Sequence, residues 1–426
     1  MTDRYLTSIT PDSFSGLIFG FEGMQNTVVA LNGPTGCKFY HSSVSDDQGL
    51  RQKEFDPLNY PLLYYFGQPR VPCTYLDKRD YIYGSRMKLE ELLNFIKKEI
   101  PADLLIVVNS PGAALIGDNL SQIVEGVMGD MPRVIVESPG YSRFIWEGYS
   151  RASEALIDTF AVPSQEKKKA VNLLGLSIYH RYYRGDLLEL TRLLGLCGIE
   201  VNCSLCCRST LEEVRHLTDA ALNVVLYPEY GLSSAKKLEE KFGMPYVTGI
   251  PLGFTETENW IRNICAALDC DPTPALLESE RARATAYLHI SRVNSLTGMP
   301  KGVKFALHGT CSQCLAYVKY LVPYLGMTAE CISLLDRPEK EYGELTALLA
   351  EYGMESALEG DILQTQADLV FADANILAKL KLRHHLFSGI EIGLPGFGYV
   401  DVIPKPHMGL AGSLLILEQI LNGLLF

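Results

Sequence analysis

The stretch Asn32-Gly33-Pro34-Thr35-Gly36-Cys37 decides how the chain is read. It follows Thr27-Val28-Val29-Ala30-Leu31, a continuous apolar run of the kind that a strand covered on both faces requires. It leads into Lys38-Phe39-Tyr40, which can open a helix. Gly33 and Gly36 admit φ values closed to other residues and Pro34 fixes its own, so the segment is a tight turn. The turn holds the Cys37 thiol at the carboxyl end of a strand, where open parallel sheets place their ligands.

The same order of strand, turn and helix recurs outward from this point and divides the chain into three α/β domains. The first, 1–165, continues with Val71-Pro72-Cys73-Thr74, a helix over 87–100 with Leu89, Leu92, Leu93 and Ile96 on one face, and the buried strand 103–108. That strand runs into Asn109-Ser110-Pro111-Gly112; a helix starts near Asn119 and a strand at Arg133. The second domain, 166–298, opens after a polar break, in which Lys167-Lys168-Lys169 caps a linker. It has strands at 171–176, 200–203 and 222–226 and a helix that ends at Gly243. The third, 299–426, has strands at 303–308, 328–334 and 367–371 and a closing amphipathic helix over 413–425. The second and third follow one scheme, so the expected fold is three Rossmann-like, doubly wound parallel-sheet domains around a central cleft, two of them duplicated.

Composition bounds the function. At 426 residues the chain exceeds one ordinary core. A net charge of -12 leaves no excess of Lys and Arg to neutralise phosphates, so no nucleic-acid partner is expected. No run reaches the about 18 apolar residues that a membrane helix needs, and the first residues lack a secretory pattern. A cytoplasmic protein with reduced thiols is the expectation. Its eleven cysteines then read as metal ligands and core residues rather than as disulfides. Neither G-x-x-x-x-G-K-[ST] nor G-x-G-x-x-G occurs, so no nucleotide site is expected in this chain.

Two motifs carry chemistry. Cys203, Cys206 and Cys207 form C-x-x-C-C, and Cys311 and Cys314 form C-x-x-C. Both fall in loops after strands, which a parallel sheet collects on one edge, so both are expected to face the cleft and to offer thiolates to a metal or cluster. The alternative is five small buried hydrophobes. Cys197, Cys265, Cys270 and Cys331 fall in helices and strands with no partner in the sequence and read as core. Cys73 either joins Cys37 as a ligand or packs. His180 and His308 sit at strand ends and could line the cleft, His407 could cap it, and His384-His385 reads as a solvated helix end.

Several stretches together resemble the nitrogenase component 1 superfamily. Gly33-Pro34-Thr35-Gly36-Cys37 is similar to the family's G-P-x-G-C cluster turn, and Gly20-Phe21-Glu22-Gly23 precedes it at the family's spacing. Lys78 to Gly84 resembles E-K-D-x-x-F-G-G, Ser110 to Asp118 resembles C-P-x-x-L-I-G-D-D, and Lys236 to Pro245 resembles M-E-E-K-Y-G-I-P. The resemblance covers nearly the whole chain. It implies an iron-sulfur cluster at the interface of two related subunits, as a homodimer or heterotetramer. It also implies electrons from a separate ATP-dependent, iron-protein-like reductase.

The chain departs from that pattern. A cluster cysteine of the family falls on Ser110, another falls near Asp12 or Ser13, and Cys37 alone carries over. The family's cofactor cysteine position matches Tyr227 and its cofactor histidine position falls at or beside Met408, with His407 adjacent, so nitrogen reduction at that cofactor is not expected. The resemblance implies a nitrogenase-like oxidoreductase with an altered centre, a second metallocluster or another substrate in the cleft. The alternatives are a cluster-assembly scaffold or partner subunit, and a tetrapyrrole reductase subunit, against which the five expected cleft thiols speak.

Overall fold

The computed structural model describes residues 11–34, 37, 71–139, 144–393 and 402–425. The helix opening at Lys38-Phe39-Tyr40 lies outside them. Three separate parallel sheets organise what is described.

The first sheet is built from α1 (Ser13–Glu22), β1 (Thr27–Asn32), the short α2 (Asp80–Tyr83), α3 (Arg86–Glu99), β2 (Leu104–Asn109), α4 (Leu120–Met128), β3 (Arg133–Val136) and α5 (Ile145–Phe160). Its order is β1-β2-β3, all parallel, with Thr27 opposite Leu104 and Leu105 opposite Arg133. Every residue of β1 and β2 is buried, as two-sided cover demands. Leu89, Leu93 and Ile96 of α3 pack with Ile123 and Val124 of α4 on one face. The other face meets α1 and α5. Those two helices cross where a Cβ on Gly16 would overlap Ile145 O and one on Gly148 would overlap Ser13 O, so the close approach depends on both glycines.

The second sheet comprises β4 (Lys168–Leu174), α6 (Tyr183–Leu196), β5 (Glu200–Ser204), α7 (Leu211–Arg215), β6 (Ala220–Val225), α8 (Pro228–Phe242), β7 (Tyr246–Thr248) and α9 (Phe254–Leu268). The order is β5-β4-β6-β7. The lysine run that reads as a linker cap is part of this fold. Lys168 and Lys169 open β4, Lys168 Nζ pairs with Asp219 at 3.2 Å, and Lys169 Nζ donates to Asp269 O at 3.1 Å.

A 25-residue helix, α10 (Thr273–Thr297), leads to the third sheet. That sheet has β8 (Lys304–Gly309), α11 (Cys311–Leu321), β9 (Thr328–Leu334), α12 (Glu339–Glu351), β10 (Leu369–Ala372), α13 (Ala374–Leu382), β11 (Ser388–Glu391) and α14 (Gly409–Leu425). Its order, β9-β8-β10-β11, repeats that of the second sheet strand for strand. The duplication read from the sequence is therefore a duplication of topology.

The closing helix α14 is tied back to α6. Asp186 Oδ1 accepts from the His407 and Met408 N–H groups at 2.7 and 2.8 Å. Glu189 Oε1 accepts from Leu410 and Ala411 N–H at 3.1 and 3.0 Å. Two carboxylates at a helix N-terminus satisfy its orphan donors and complement its dipole. Among the described residues, no helix is long and apolar enough to cross a membrane.

Candidate functional site

Two places at the carboxyl ends of the strands carry reactive side chains. The first gathers around the turn after β1. Leu31 N–H donates to Pro72 O and Thr74 N–H to Leu31 O, at 2.8 and 3.0 Å, which sets Cys73 beside the end of β1. Thr74 Oγ1 holds the turn itself, accepting from Gly33 N–H at 2.9 Å and donating to Asn32 Oδ1 at 3.0 Å. Cys73 Sγ lies 3.0 Å from Gly33 O. Ser110 packs against Gly33 so closely that a Cβ there would overlap it. The titration of the Tyr81 hydroxyl is pushed up by burial and then by the neighbouring Cys37 and Cys73 sulfurs, against the lowering influence of Ser110 beside it. Cys37 is half-buried, its thiol pushed up by burial and then by the Asp12 carboxylate. Cys37, Cys73, Ser110, Tyr81 and Asp12 thus share one sheet edge. Exposed apolar side chains on the same edge segments, Ile82, Tyr83, Met87 and Leu115, are 75% to 84% accessible.

The second place is a cavity of about 260 Å³ between the second and third sheets. The second-sheet wall carries Tyr179 and His180 from the segment after β4 and Tyr227, Glu229 and Tyr230 from the start of α8. The third-sheet wall carries His308 near the end of β8, Thr310 and Gln313 after it, and Asp373, Asn375 and Lys379 after β10. Phe144 and Trp146 reach it from α5 and the residue before it. Every sheet-borne group lies at or beyond the carboxyl end of a strand, the position where open α/β sheets bind ligands.

The groups in this cavity are strongly polarised. His180 stacks on Tyr227 with ring centroids 4.0 Å apart, and its Nδ1 accepts from Ser177 N–H at 2.9 Å, which assigns the ring proton to Nε2. Burial pushes His180 down to about 3, so the ring is neutral. His308 is also pushed down by burial; its Nδ1 lies 3.1 Å from Ser333 Oγ and its Nε2 3.6 Å from Asp373 Oδ2. Glu229 Oε2 accepts from Ser312 Oγ at 2.7 Å, while Oε1 is buried with no hydrogen-bond partner among the described residues. Burial pushes Glu229 up to about 7, so a carboxylic acid able to donate a proton faces the cavity at neutral pH.

Sequence reading anticipates His180, Tyr227 and His308 near the cleft, and all three line it. His407 does not. It is buried under Tyr182, with ring centroids 3.5 Å apart, and bonded to the Tyr317 hydroxyl at 2.6 Å and Gln419 at 2.9 Å. Glu229, Asp373 and Lys379 were missed. Pro228-Glu229 at a helix start and Asp373 as an N-cap gave a weak signal. Lys379 gave none, since a lysine within a helix reads as solvated.

The five later cysteines overturn the expectation that they face the cleft. None lines the cavity. Cys203 lies in β5, and Cys206 and Cys207 follow in a turn that α1 covers; all three are at most 1% exposed. A Cβ on Gly23 would overlap Cys206 O, and Arg208 N–H donates to Gly23 O at 2.6 Å. Tyr149 Oη lies 2.9 Å from Leu205 O and 3.0 Å from Leu176 O. Burial pushes the Cys207 thiol up to about 12, and Cys203 and Cys206 are raised in the same way. Cys311 and Cys314 stand on the first turn of α11 rather than in a loop. Thr310 caps the helix straight after β8, so the i, i+3 pair turns into the third-sheet core. Cys265 and Cys331 are buried as expected, but Cys197 and Cys270 lie close enough to Cys265 to raise its titration beyond what burial does. Among the described residues, no three His, Cys, Asp or Glu side chains converge where a metal ion could sit.

With this geometry in hand, similarity to known proteins is informative. The family model for nitrogenase component 1 type oxidoreductase matches residues 13–425. A light-independent protochlorophyllide reductase chain of Halorhodospira halophila is 25% identical over 370 residues, covering 83% of this chain and 68% of that protein. The chain of the same name from a Synechococcus strain is 27% identical over 373 residues, covering 82% and 69%. A solved structure of nitrogenase Cp1 at pH 6.5 superposes with a TM-score of 0.74 at 17% identity over 98% of this chain and 94% of that one, a likeness of fold. The chain belongs to the nitrogenase component 1 type oxidoreductase family, a nitrogenase-like oxidoreductase.

Proposed function

We propose that this chain is the substrate-bearing subunit of a two-component reductase. It would take electrons from an ATP-dependent iron-sulfur reductase at the first-sheet edge and pass them to a substrate in the cavity between the second and third sheets. The observation that carries this reading is the edge itself. Cys37 is half-exposed there with Cys73, Ser110 and Asp12 as neighbours, rimmed by apolar side chains that no other part of the described chain covers. Such a half-site fits an iron-sulfur cluster completed by a second, related subunit, with Cys37 and Cys73 as this chain's thiolate ligands. A cluster held there would supply one-electron transfer. The chain's own residues do the rest. Thr74 and Asn32 fix the turn that aims Cys37, the cavity aromatics exclude water, and Glu229 holds a proton toward whatever is reduced.

A second reading draws on the relatives, which are named as protochlorophyllide reductase subunits. The objection from cleft thiols is gone, because no cysteine lines the cavity. Against it stands the volume. About 260 Å³ is below the range of pockets for drug-sized ligands, so a smaller substrate fits the described walls better.

Anaerobic reconstitution with iron and sulfide tests the first reading. Bound iron with a paramagnetic resonance signal on reduction is expected, and both are lost in Cys37→Ala. A protein that takes up no iron, or a C37A variant with unchanged iron content, would falsify it.

A further inference from the structure

Lys379 stands on the second turn of α13, lines the cavity and is 4% exposed. Among the described residues its Nζ makes no hydrogen bond and no ion pair. Taking an ammonium out of water without a partner costs several kcal/mol, so buried charges are ordinarily paired. The carboxylates that could answer it are committed elsewhere. Asp373 Oδ1 accepts from Asn375 and Ile376 N–H at 2.8 and 3.1 Å, and its Oδ2 faces His308. Glu229, on the facing wall, is pushed up to about 7 by burial, so only part of it is ionised at neutral pH. Neither His180 nor His308 carries a compensating or competing charge, since burial keeps both neutral.

The third-sheet wall of the cavity therefore presents one ammonium without a direct partner, in the same lining as the Asp373 carboxylate. The opposite wall is aromatic: Tyr227 stacked with His180, with Tyr230, Tyr179 and Trp146 beside them. Rings of this kind accept flat, unsaturated bodies by offset or edge contacts. We propose that the cavity binds an organic anion, an aromatic or otherwise unsaturated carboxylate, with its anionic group on Lys379 and its flat body against the Tyr227–Trp146 wall. This rests on reading the cavity as the substrate site and is independent of where iron binds. It makes the substrate a carboxylate and leaves Glu229 facing the unsaturated part as its proton donor.

The chain supplies its own reporter. Its two tryptophans are Trp146, in the cavity wall, and Trp260, in the second-sheet core. Benzoate is the probe and benzyl alcohol its uncharged counterpart, titrated against the protein as isolated, without iron. Benzoate is expected to change tryptophan emission with a Kd on the order of 1 mM, a change absent in Trp146→Phe. Lys379→Met is expected to weaken benzoate at least tenfold and to leave benzyl alcohol unchanged. The same variant without ligand melts higher than the parent, because an unpaired buried charge has been removed. Equal binding of the two probes, no benzoate binding, an unchanged affinity in K379M, or a lower melting point of that variant each overturns the proposal. None of these results depends on iron content, so this reading and the cluster reading fail separately.

Discussion

The turn after β1 and the turn after β5 share a plan: each follows a parallel strand and each presents thiols near its carboxyl end. Their surroundings differ. Cys37 lies at an open edge, half-buried, with Asp12 and Tyr81 nearby and exposed apolar side chains around it. Cys206 and Cys207 lie beneath α1, sealed by Gly23 and clamped by Tyr149. What packs on a strand-end turn, rather than the residues in it, decides whether its thiols can meet a ligand. Cys206 even holds a φ of +59° and Arg208 one of +64°, left-handed conformations that a non-glycine residue keeps when its surroundings fix it.

Gly23→Ala breaks the seal most directly. Its Cβ would overlap Cys206 O and lie against the Cys206 main chain, where nothing flexible can yield. Overpacking against fixed backbone is among the few mechanisms that cost more than about 4 kcal/mol. Loss of soluble protein, or a denaturation midpoint lowered by that amount, is expected. A variant as stable as the parent would mean that α1 does not cover the turn.

Alkali sharpens the same contrast. The sealed thiols keep their protons in the folded state to higher pH than in the unfolded chain, where thiols titrate near 9. Between pH 9 and about 12 the unfolded state binds fewer protons, so stability falls as pH rises, by about 1.4 kcal/mol per unit for each sealed thiol. Below pH 9 the three contribute no slope. Urea midpoints at pH 8, 9 and 10 measure this, and Cys207→Ala should flatten the upper part of the curve by one thiol's share.

The sequence shows the fold far better than it shows which turn is open. Continuous apolar runs such as Leu104–Asn109, and strand ends marked by glycine, are local properties, so the three sheets and the duplicated order are legible. The covering of Cys203 to Cys207 depends on a helix some 180 residues earlier, and the C-x-x-C at Cys311 is turned inward by the Thr310 cap one residue before it. His180 and His308 were legible as cavity residues because each lies near the carboxyl end of a strand, and Tyr227 because the family's cofactor position falls on it. Lys379 was not, because whether a helical lysine points to water or to a cavity is set by the packing of α13.

Serine exchange makes the smallest change and the cleanest test of the comparison. Cys206→Ser puts a hydroxyl in a core site that is fully buried and leaves it short of partners, at a cost of about 1–3 kcal/mol. Cys37→Ser replaces a half-buried thiol that solvent still reaches and should cost under about 0.5 kcal/mol. A thiol reagent added to the native protein should accordingly modify Cys37 before Cys206, which it reaches only on unfolding. In reconstituted protein the ranking inverts. C37S loses its iron while its denaturation midpoint stays put, and C206S loses stability while its iron content stays put. If the two variants lose stability and iron together, the edge and the core are one structural unit and the distinction between them does not hold.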